Sequence, residues 1–130
     1  MKNSFSEVPV IQSSKYINVE TYRRSGEAIH TPVWFVESGG IYFFLTLGDS
    51  GKVKRLRHNS KIKVAPCKVN GELTGNWFDA EGSFVESEGV VNVIKTLFDQ
   101  KYGALSRITN VFSKLQRKKR VFIKVTPIIA

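Results

Sequence analysis

Alternation of apolar and polar side chains predicts strands over much of the first two thirds of the chain. In the segment 15–22, Ile17, Val19 and Thr21 share one face, and this period of two is typical of a half-buried strand. Glycine-containing turns separate further strands predicted over 28–36, 41–47, 60–67 and 76–86. The strand at 41–47 is apolar on both faces, which predicts a central position in the sheet.

Two residues within these strands predict irregular backbone. Pro32 has no N–H to donate to a ladder, so we expect a bulge or an irregular edge in its strand. Gly82 predicts a bulge or a tight bend in the strand at 76–86.

A helical period replaces the alternation after Glu88. A short helix over 52–58, capped by Asp49 or Ser50, precedes it and turns Val53 and Leu56 inward. Apolar residues three and four apart then predict one longer helix before Gly103 and a second after it. The residues concerned are Val90, Val91, Ile94, Leu97 and Phe98 in the first and Leu105, Ile108, Val111, Phe112 and Leu115 in the second.

The order of these elements predicts a mainly β protein. Residues 120–126 alternate again as a sixth strand, so five strands, a helical excursion at about 89–118 and a closing strand follow one another. An antiparallel barrel suits this order, because closure removes exposed sheet edges. The length of 130 residues fits one domain over 15–127, after a weakly ordered lead-in at 1–14.

Cysteine content and hydropathy indicate a protein of the cytoplasm. Cys67 is the single cysteine, which excludes an internal disulfide and suits a reducing compartment. We expect no signal peptide or anchor, and no apolar run approaches the roughly 20 residues that span a bilayer.

The formal charge of +9 is the unusual number, and it is concentrated in the segments 52–68 and 114–124. Such a balance attracts polyanions, whether nucleic acid, acidic membrane or a phosphorylated cofactor. Charge alone does not choose among them, and solvated surface lysines explain it as well.

Side-chain catalysis has little support in the sequence. His30, His58 and Cys67 match no zinc pattern and no nucleophile–base arrangement. Asp79 and Glu81 are more typical of a solvated strand face than of acid–base work. We nominate no catalytic side chain and no metal ligand, so an enzyme of this sequence would take its reactive atoms from a bound cofactor.

A phosphate site is predicted around the short helix. Thr46 ends a strand, Ser50 begins the helix between Gly48 and Gly51, and Lys52 and Arg55 follow at once. Hydroxyl groups, a helix N-terminus and cations suit a phosphate monoester, while the neighbouring aromatic strand offers a flat apolar wall for a ring. A plain basic helix is the alternative.

Three runs of residues carry a family resemblance. YRRSG at 22–26, TPVWF at 31–35 and SGKVKRLR at 50–57 resemble the pyridoxamine-phosphate-oxidase-like flavin split-barrel superfamily. The branch described as deazaflavin (coenzyme F-420) dependent is the most similar, and VAPC at 64–67, the loop 71–75 and the strand at 121–127 fit it too. The resemblance covers about 15–127. Glu20 departs from it, because relatives have a small or hydroxyl residue there, at the mouth of the pocket.

The resemblance implies a six-stranded antiparallel split β-barrel of the FMN-binding type with flanking helices. It also implies a homodimer with FMN or coenzyme F-420 (deazaflavin) at the subunit interface. Backbone at Thr31, Pro32, Val33 and Trp34 would line the ring, and Thr46, Ser50, Lys52 and Arg55 would hold the phosphate. Trp77 would reach the cofactor bound mainly by the other subunit, or pack in the dimer interface. The substrate-recognition features of true pyridoxamine phosphate oxidases are not recognisable, so vitamin B6 synthesis is not expected.

We therefore expect an oxidoreductase that transfers hydride between the cofactor and a small conjugated acceptor. One alternative is a flavin- or haem-binding module without turnover. Another is a small basic barrel that binds single-stranded nucleic acid through aromatic residues and lysines. The aromatic residues between Trp34 and Phe44 fall on both strand faces, as core residues do, which argues against the last alternative.

Overall fold

A computed structural model describes residues 14–103 and 120–128 of the chain. Within these residues the chain forms six strands and two helices. The strands are β1 (Tyr16–Tyr22), β2 (Ala28–Ser38), β3 (Ile41–Leu47), β4 (Lys61–Cys67), β5 (Phe78–Phe84) and β6 (Arg120–Pro127), and the helices are α1 (Gly51–His58) and α2 (Glu88–Tyr102).

The strands close into an antiparallel barrel. Their order around the barrel is β1-β2-β3-β6-β5-β4, and β4 pairs with β1 to complete the circle. Each strand therefore has a neighbour on both sides, which satisfies sheet edges that would otherwise be exposed. The predicted mainly β class and the six-stranded antiparallel split barrel are confirmed.

Alternation along the strands builds the inner core. Ile17, Val19 and Thr21, which the sequence placed on one face of β1, are all 0% exposed. Ile62 and Val64 of β4 also point inward, and burial of each aliphatic side chain of this kind contributes about 1.5–3 kcal/mol. The buried inner cluster comprises Ile17, Val19, Val33, Phe35, Tyr42, Phe44, Leu56, Ile62, Val64, Ala80, Ile123 and Val125.

A second hydrophobic cluster lies outside the barrel wall, beneath α2. Its buried members are Val36, Phe43, Ile94, Phe98, Tyr102 and Phe122. The spacing of Ile94 and Phe98 that predicted this helix is thus the spacing of its buried face. Because Phe44 of β3 points into the barrel and Phe43 points to α2, this strand is buried on both faces, as its apolar pattern indicated.

α1 packs on the barrel through the two residues that the sequence turned inward. Val53 and Leu56 are buried, and Leu56 belongs to the inner cluster. Ser50 caps the helix, and its hydroxyl accepts the N–H of Val53.

Gly82 serves this helix packing. The bulge predicted as one possibility at Gly82 is wrong, because the residue pairs with Val125 in a continuous register. A Cβ at Gly82 would lie 2.9 Å from Cδ2 of Leu56 and 3.5 Å from Cδ1 of Ile62. Glycine is needed there because the side chain of α1 approaches the strand closely.

Some predicted features lie outside the described residues, namely the lead-in at 1–14 apart from Ser14 and the helix predicted between Leu105 and Leu115. β5 is shorter than the predicted 76–86, because its pairing with β4 begins at Val64↔Phe78 and its pairing with β6 ends at Phe84↔Ile123. In the part of the chain that is described, no helix has the length and apolar character needed to cross a membrane.

Candidate cofactor site

β2 and β3 pair over only part of their length, which opens a gap in the barrel wall. Their register runs from Phe35↔Phe44 to Ser38↔Ile41. Before Phe35, β2 continues alongside β1, and residues 45–47 of β3 continue alongside β6. The segment 28–34 therefore faces 45–47 across an opening.

Backbone groups of this part of β2 alternate between β1 and the gap. The N–H of Phe35 donates to the Tyr102 hydroxyl at 2.9 Å, and this hydroxyl lies 2.8 Å from the carbonyl oxygens of both Phe35 and Lys15. Since Lys15 immediately precedes β1, the polar groups of Phe35 point to the β1 side. Directions alternate along an antiparallel strand, so the backbone groups of Pro32 and Trp34 point to the gap.

Pro32 fits this geometry without disturbing the sheet. It lies in regular register opposite Asn18, so the bulge predicted as one possibility is wrong. The N–H that proline lacks would have pointed to the gap, and the β1–β2 ladder loses no bond. The irregular edge predicted as the other possibility is the gap itself.

The side chains of the TPVW segment are partly used in packing. Val33 points into the inner core. Trp34 points the other way and stacks on Tyr102, with ring centroids 4.3 Å apart and planes within 8°. Thr31 and Pro32 are half-buried. The surface that this segment offers at the gap is therefore largely backbone.

Two hydroxyl groups meet where β3 leads into α1. Thr46, 9% exposed, has its Oγ1 3.1 Å from Oγ of Ser50. Ser50 also accepts the N–H of Val53 at 3.3 Å, which is the usual N-cap contact. The structure thus brings the predicted pair Thr46 and Ser50 together at the helix N-terminus, beside the gap.

Cationic groups lie at the same helix end: Lys52 is in the first turn, and Arg55 folds back from the last turn so that its Nη1 is 2.7 Å from the position of a Cβ on Gly51. Nε of Arg55 donates to Oγ1 of Thr21 at 2.7 Å, which ties the helix to the end of β1. Burial lowers the pKa of Lys52 and of Arg55, and the charges of Arg55 on Lys52 and of Arg23 on Arg55 lower them further. In the stretches 14–103 and 120–128, neither Lys52 nor Arg55 has a carboxylate within ion-pair distance. Positive charge at the positive end of a helix dipole is a setting that an anion stabilises.

Trp77 and Glu20 lie together elsewhere, on the outer face of the barrel. The ring of Trp77 is 5.0 Å from that of His30, whose Nε2 is 2.7 Å from Oε1 of Glu20. The Tyr22 hydroxyl donates to the same carboxylate. Partial burial raises the pKa of Glu20, but these hydrogen bonds and the charges of His30 and Lys63 bring it below its ordinary value. Trp77 therefore contacts this polar group and is not gathered with Ser50 and Arg55.

Sequence reasoning missed Thr21 as a site residue. A threonine that alternates with Ile17 and Val19 is typical of a core-facing position, and Thr21 is indeed 0% exposed. Its hydroxyl is the acceptor that fixes Arg55, a contact across 34 residues of chain. The available signal was a single hydroxyl on an otherwise apolar strand face.

Solved structures share this fold, although no protein-family model and no curated protein matches the chain. The haem storage protein HutZ from Vibrio cholerae is 18% identical, with a TM-score of 0.73 over 100% of this chain and 93% of that one. An FAD-binding protein from Mesorhizobium loti is 12% identical, with a TM-score of 0.68 over 96% and 87%. An F-420 reductase is 16% identical, with a TM-score of 0.60 over 99% and 96%. At these identities the likeness shows the fold, which is the split barrel that the resemblance implied.

Proposed function

We propose that this protein is a cytoplasmic, homodimeric oxidoreductase that binds FMN or coenzyme F-420 (deazaflavin) at the gap between β2 and β3. Thr46, Ser50, Lys52 and Arg55 would hold the phosphate, and the backbone of 31–34 would line the ring. The single observation that carries the proposal is the cation cluster: Lys52 and Arg55, without a carboxylate partner among the described residues, lie at a helix N-terminus beside an opening in the sheet.

The donor set fits a phosphate group. Lys52 and Arg55 offer charged N–H donors, and Ser50 and Thr46 offer hydroxyl groups 3.1 Å apart. Charge-assisted hydrogen bonds of this kind are about twice as strong as neutral ones. The pKa values of both cations are lowered by burial and by neighbouring positive charge, so a bound anion would relieve an unfavourable arrangement.

The edge of β2 fits the ring. Backbone N–H and C=O groups that point to the gap are suited to the polar rim of a flavin or deazaflavin, and Pro32 adds a half-buried apolar surface. When bound, the reduced cofactor would supply a hydride for a small organic acceptor, with the accompanying proton coming from solvent. The protein's part is to orient the ring against the acceptor and to exclude water.

A second copy of the chain would cover the open side of the gap. In that arrangement Trp77 of each protomer would face the cofactor held mainly by the other protomer, or pack between the two. Its half-buried position on the outer face of the barrel leaves part of the ring available for such a contact.

A flavin- or haem-binding module without turnover is the second candidate. The likeness to HutZ, whose described role is haem storage, favours it. Oxidation of the bound, reduced cofactor that depends on an added acceptor supports the enzyme, whereas binding without such oxidation supports the module. The nucleic-acid alternative loses its stacking platform, because the aromatic rings from Trp34 to Phe44 pack in the inner core, beneath α2 or against Tyr102.

Absorbance and tryptophan-fluorescence titrations with FMN and with coenzyme F-420 test the proposal. We expect Lys52→Ala and Arg55→Ala each to remove a charge-assisted contact worth about 1.5–3 kcal/mol, and so to raise Kd by about 10- to 150-fold. Lys54→Ala is the matched control, since Lys54 lies on the same helix and is exposed to solvent. Equal affinity of all three variants and the wild type for both cofactors would remove the phosphate-site assignment.

A further inference from the structure

The first residue of α1 has a role that its backbone does not explain. Gly51 is not among the glycines with positive φ, so its conformation is open to any residue. Alanine is the better helix former, and glycine at this position weakens the helix. A reason for glycine must therefore come from the space around its α-carbon.

The guanidinium of Arg55 occupies that space. A Cβ on Gly51 would lie 2.7 Å from Nη1 of Arg55, with Cζ at 3.6 Å and Nη2 at 3.7 Å. Carbon and nitrogen do not approach to 2.7 Å without a bond, so any side chain at Gly51 displaces the guanidinium. The arginine is folded back over the N-terminus of its own helix, the end where the dipole disfavours a cation.

Thr21 holds the same guanidinium from the other side. Nε of Arg55 donates to Oγ1 of Thr21 at 2.7 Å, and Thr21 is 0% exposed. With Nε engaged, the N–H groups on Nη1 and Nη2 remain as the donors beside the first turn of the helix. Two parallel N–H groups of this kind match two oxygens of a phosphate.

We infer that Gly51 is a positioning residue of the phosphate site: with Thr21 it presets the Arg55 guanidinium as a two-pronged donor for a phosphate group. The inference rests on the proposed function. A preset donor loses less side-chain freedom when its ligand binds, so the contribution of Arg55 to phosphate affinity depends on Gly51. Gly51 therefore acts through Arg55 and not through its own contact with the ligand.

The test compares ligands with and without the phosphate. For Gly51→Ala we expect little change in thermal stability, because the better helix propensity of alanine offsets a weaker contact between the displaced guanidinium and Thr21. We expect Kd for FMN to rise at least about tenfold, a loss of about 1.4 kcal/mol, with Kd for riboflavin unchanged. The same comparison is made for coenzyme F-420 and its phosphate-free deazaflavin.

Gly89→Ala is the matched control. Gly89 also lies in the first turn of a serine-capped helix, and a Cβ there meets only Oγ of Ser87, at 3.7 Å. We expect its FMN and riboflavin affinities to equal those of the wild type. In the Arg55→Ala background, Gly51→Ala should have no further effect on FMN binding, because the group it positions is absent.

Thr21 variants test independently whether the hydroxyl of this residue positions the Arg55 guanidinium. Thr21→Ser keeps the hydroxyl acceptor and should retain the FMN preference over riboflavin, whereas Thr21→Val should reduce it.

The results distinguish a failure of the proposed function from a failure of the inference about Gly51. A wild type that prefers neither FMN to riboflavin nor coenzyme F-420 to its phosphate-free form overturns the proposed function and this inference with it. If the wild type prefers the phosphate-bearing ligand and Gly51→Ala keeps the same preference, the inference alone is overturned. An equal loss of riboflavin affinity, or a loss that persists without Arg55, also overturns it.

Discussion

Replacing Tyr102 with phenylalanine removes one hydroxyl that joins α2 to β2. This hydroxyl accepts the N–H of Phe35 at 2.9 Å and lies 2.8 Å from two carbonyl oxygens. Tyr102 and Phe35 are 6% and 0% exposed, so water does not replace the lost partner. The Phe35 carbonyl keeps the ammonium of Lys101 as a donor at 2.9 Å, which leaves the Phe35 N–H as the orphaned group. An unpaired buried donor costs about 1–3 kcal/mol, and we expect Tyr102→Phe to lower the free energy of unfolding by about 2 kcal/mol.

Urea denaturation, followed by circular dichroism and by tryptophan fluorescence, measures this loss. Fluorescence is informative because Trp34 stacks on the ring that is changed. Tyr16→Phe is the control: Tyr16 is half-buried on β1, and its hydroxyl has no hydrogen bond within the described ranges. The control should stay within about 0.5 kcal/mol of the wild type, the usual range for such changes. A loss equally small for Tyr102→Phe would refute the reasoning.

Two further predictions concern pH. Burial lowers the pKa of Lys101 from 10.5 to about 8, so between these values the unfolded chain binds a proton that the folded protein does not. In urea unfolding at several pH values, the stability of the wild type relative to Lys101→Met should therefore rise through this range, by at most about 1.4 kcal/mol per pH unit; a difference that stays constant would contradict the prediction. The pKa of Glu20 lies below 4.5, so its contribution is present above pH 4.5 and is lost as the pH falls through its folded pKa. Glu20→Gln should destabilise at neutral pH and approach the wild type in acid, and a constant difference from the wild type would contradict this.

The strands could be predicted because their alternation is a local property. Ile17, Val19 and Thr21 point inward because the barrel has one apolar side, and the sequence repeats that division every second residue. The role of Gly82 could not be predicted, since it depends on Leu56 of a distant helix that reaches within 2.9 Å of a hypothetical Cβ. A glycine within a strand gives the same sequence signal whether it allows a bulge or the close approach of a neighbouring side chain.

The candidate site likewise contains contacts that the sequence could predict and contacts that it could not. Thr46 and Ser50 are four residues apart, and the turn between them was sufficient to predict their meeting. Arg55 was assigned from its charge, but its orientation is set by Thr21, whose place on the alternating face of β1 predicts a core position and not this contact. Trp77 was assigned by resemblance and lies against His30 of the same chain. Contacts across the barrel depend on register, and register becomes known only when the strands are paired.

The side chains of α1 divide into a buried apolar pair and two cations outside the hydrophobic clusters. Val53 and Leu56 hold the helix on the barrel and are buried, whereas Lys52 and Arg55 belong to neither hydrophobic cluster. Removing the cations therefore leaves the apolar contacts of the helix in place and relieves the repulsion that lowers their pKa values. Repulsion between the cations, and with the positive end of the helix dipole, opposes folding, whereas the hydrogen bond of Arg55 to Thr21 supports it. A bound anion would offset that repulsion, so affinity for a phosphate-bearing ligand, and not stability alone, is the measurement that tests the proposed role of the cations.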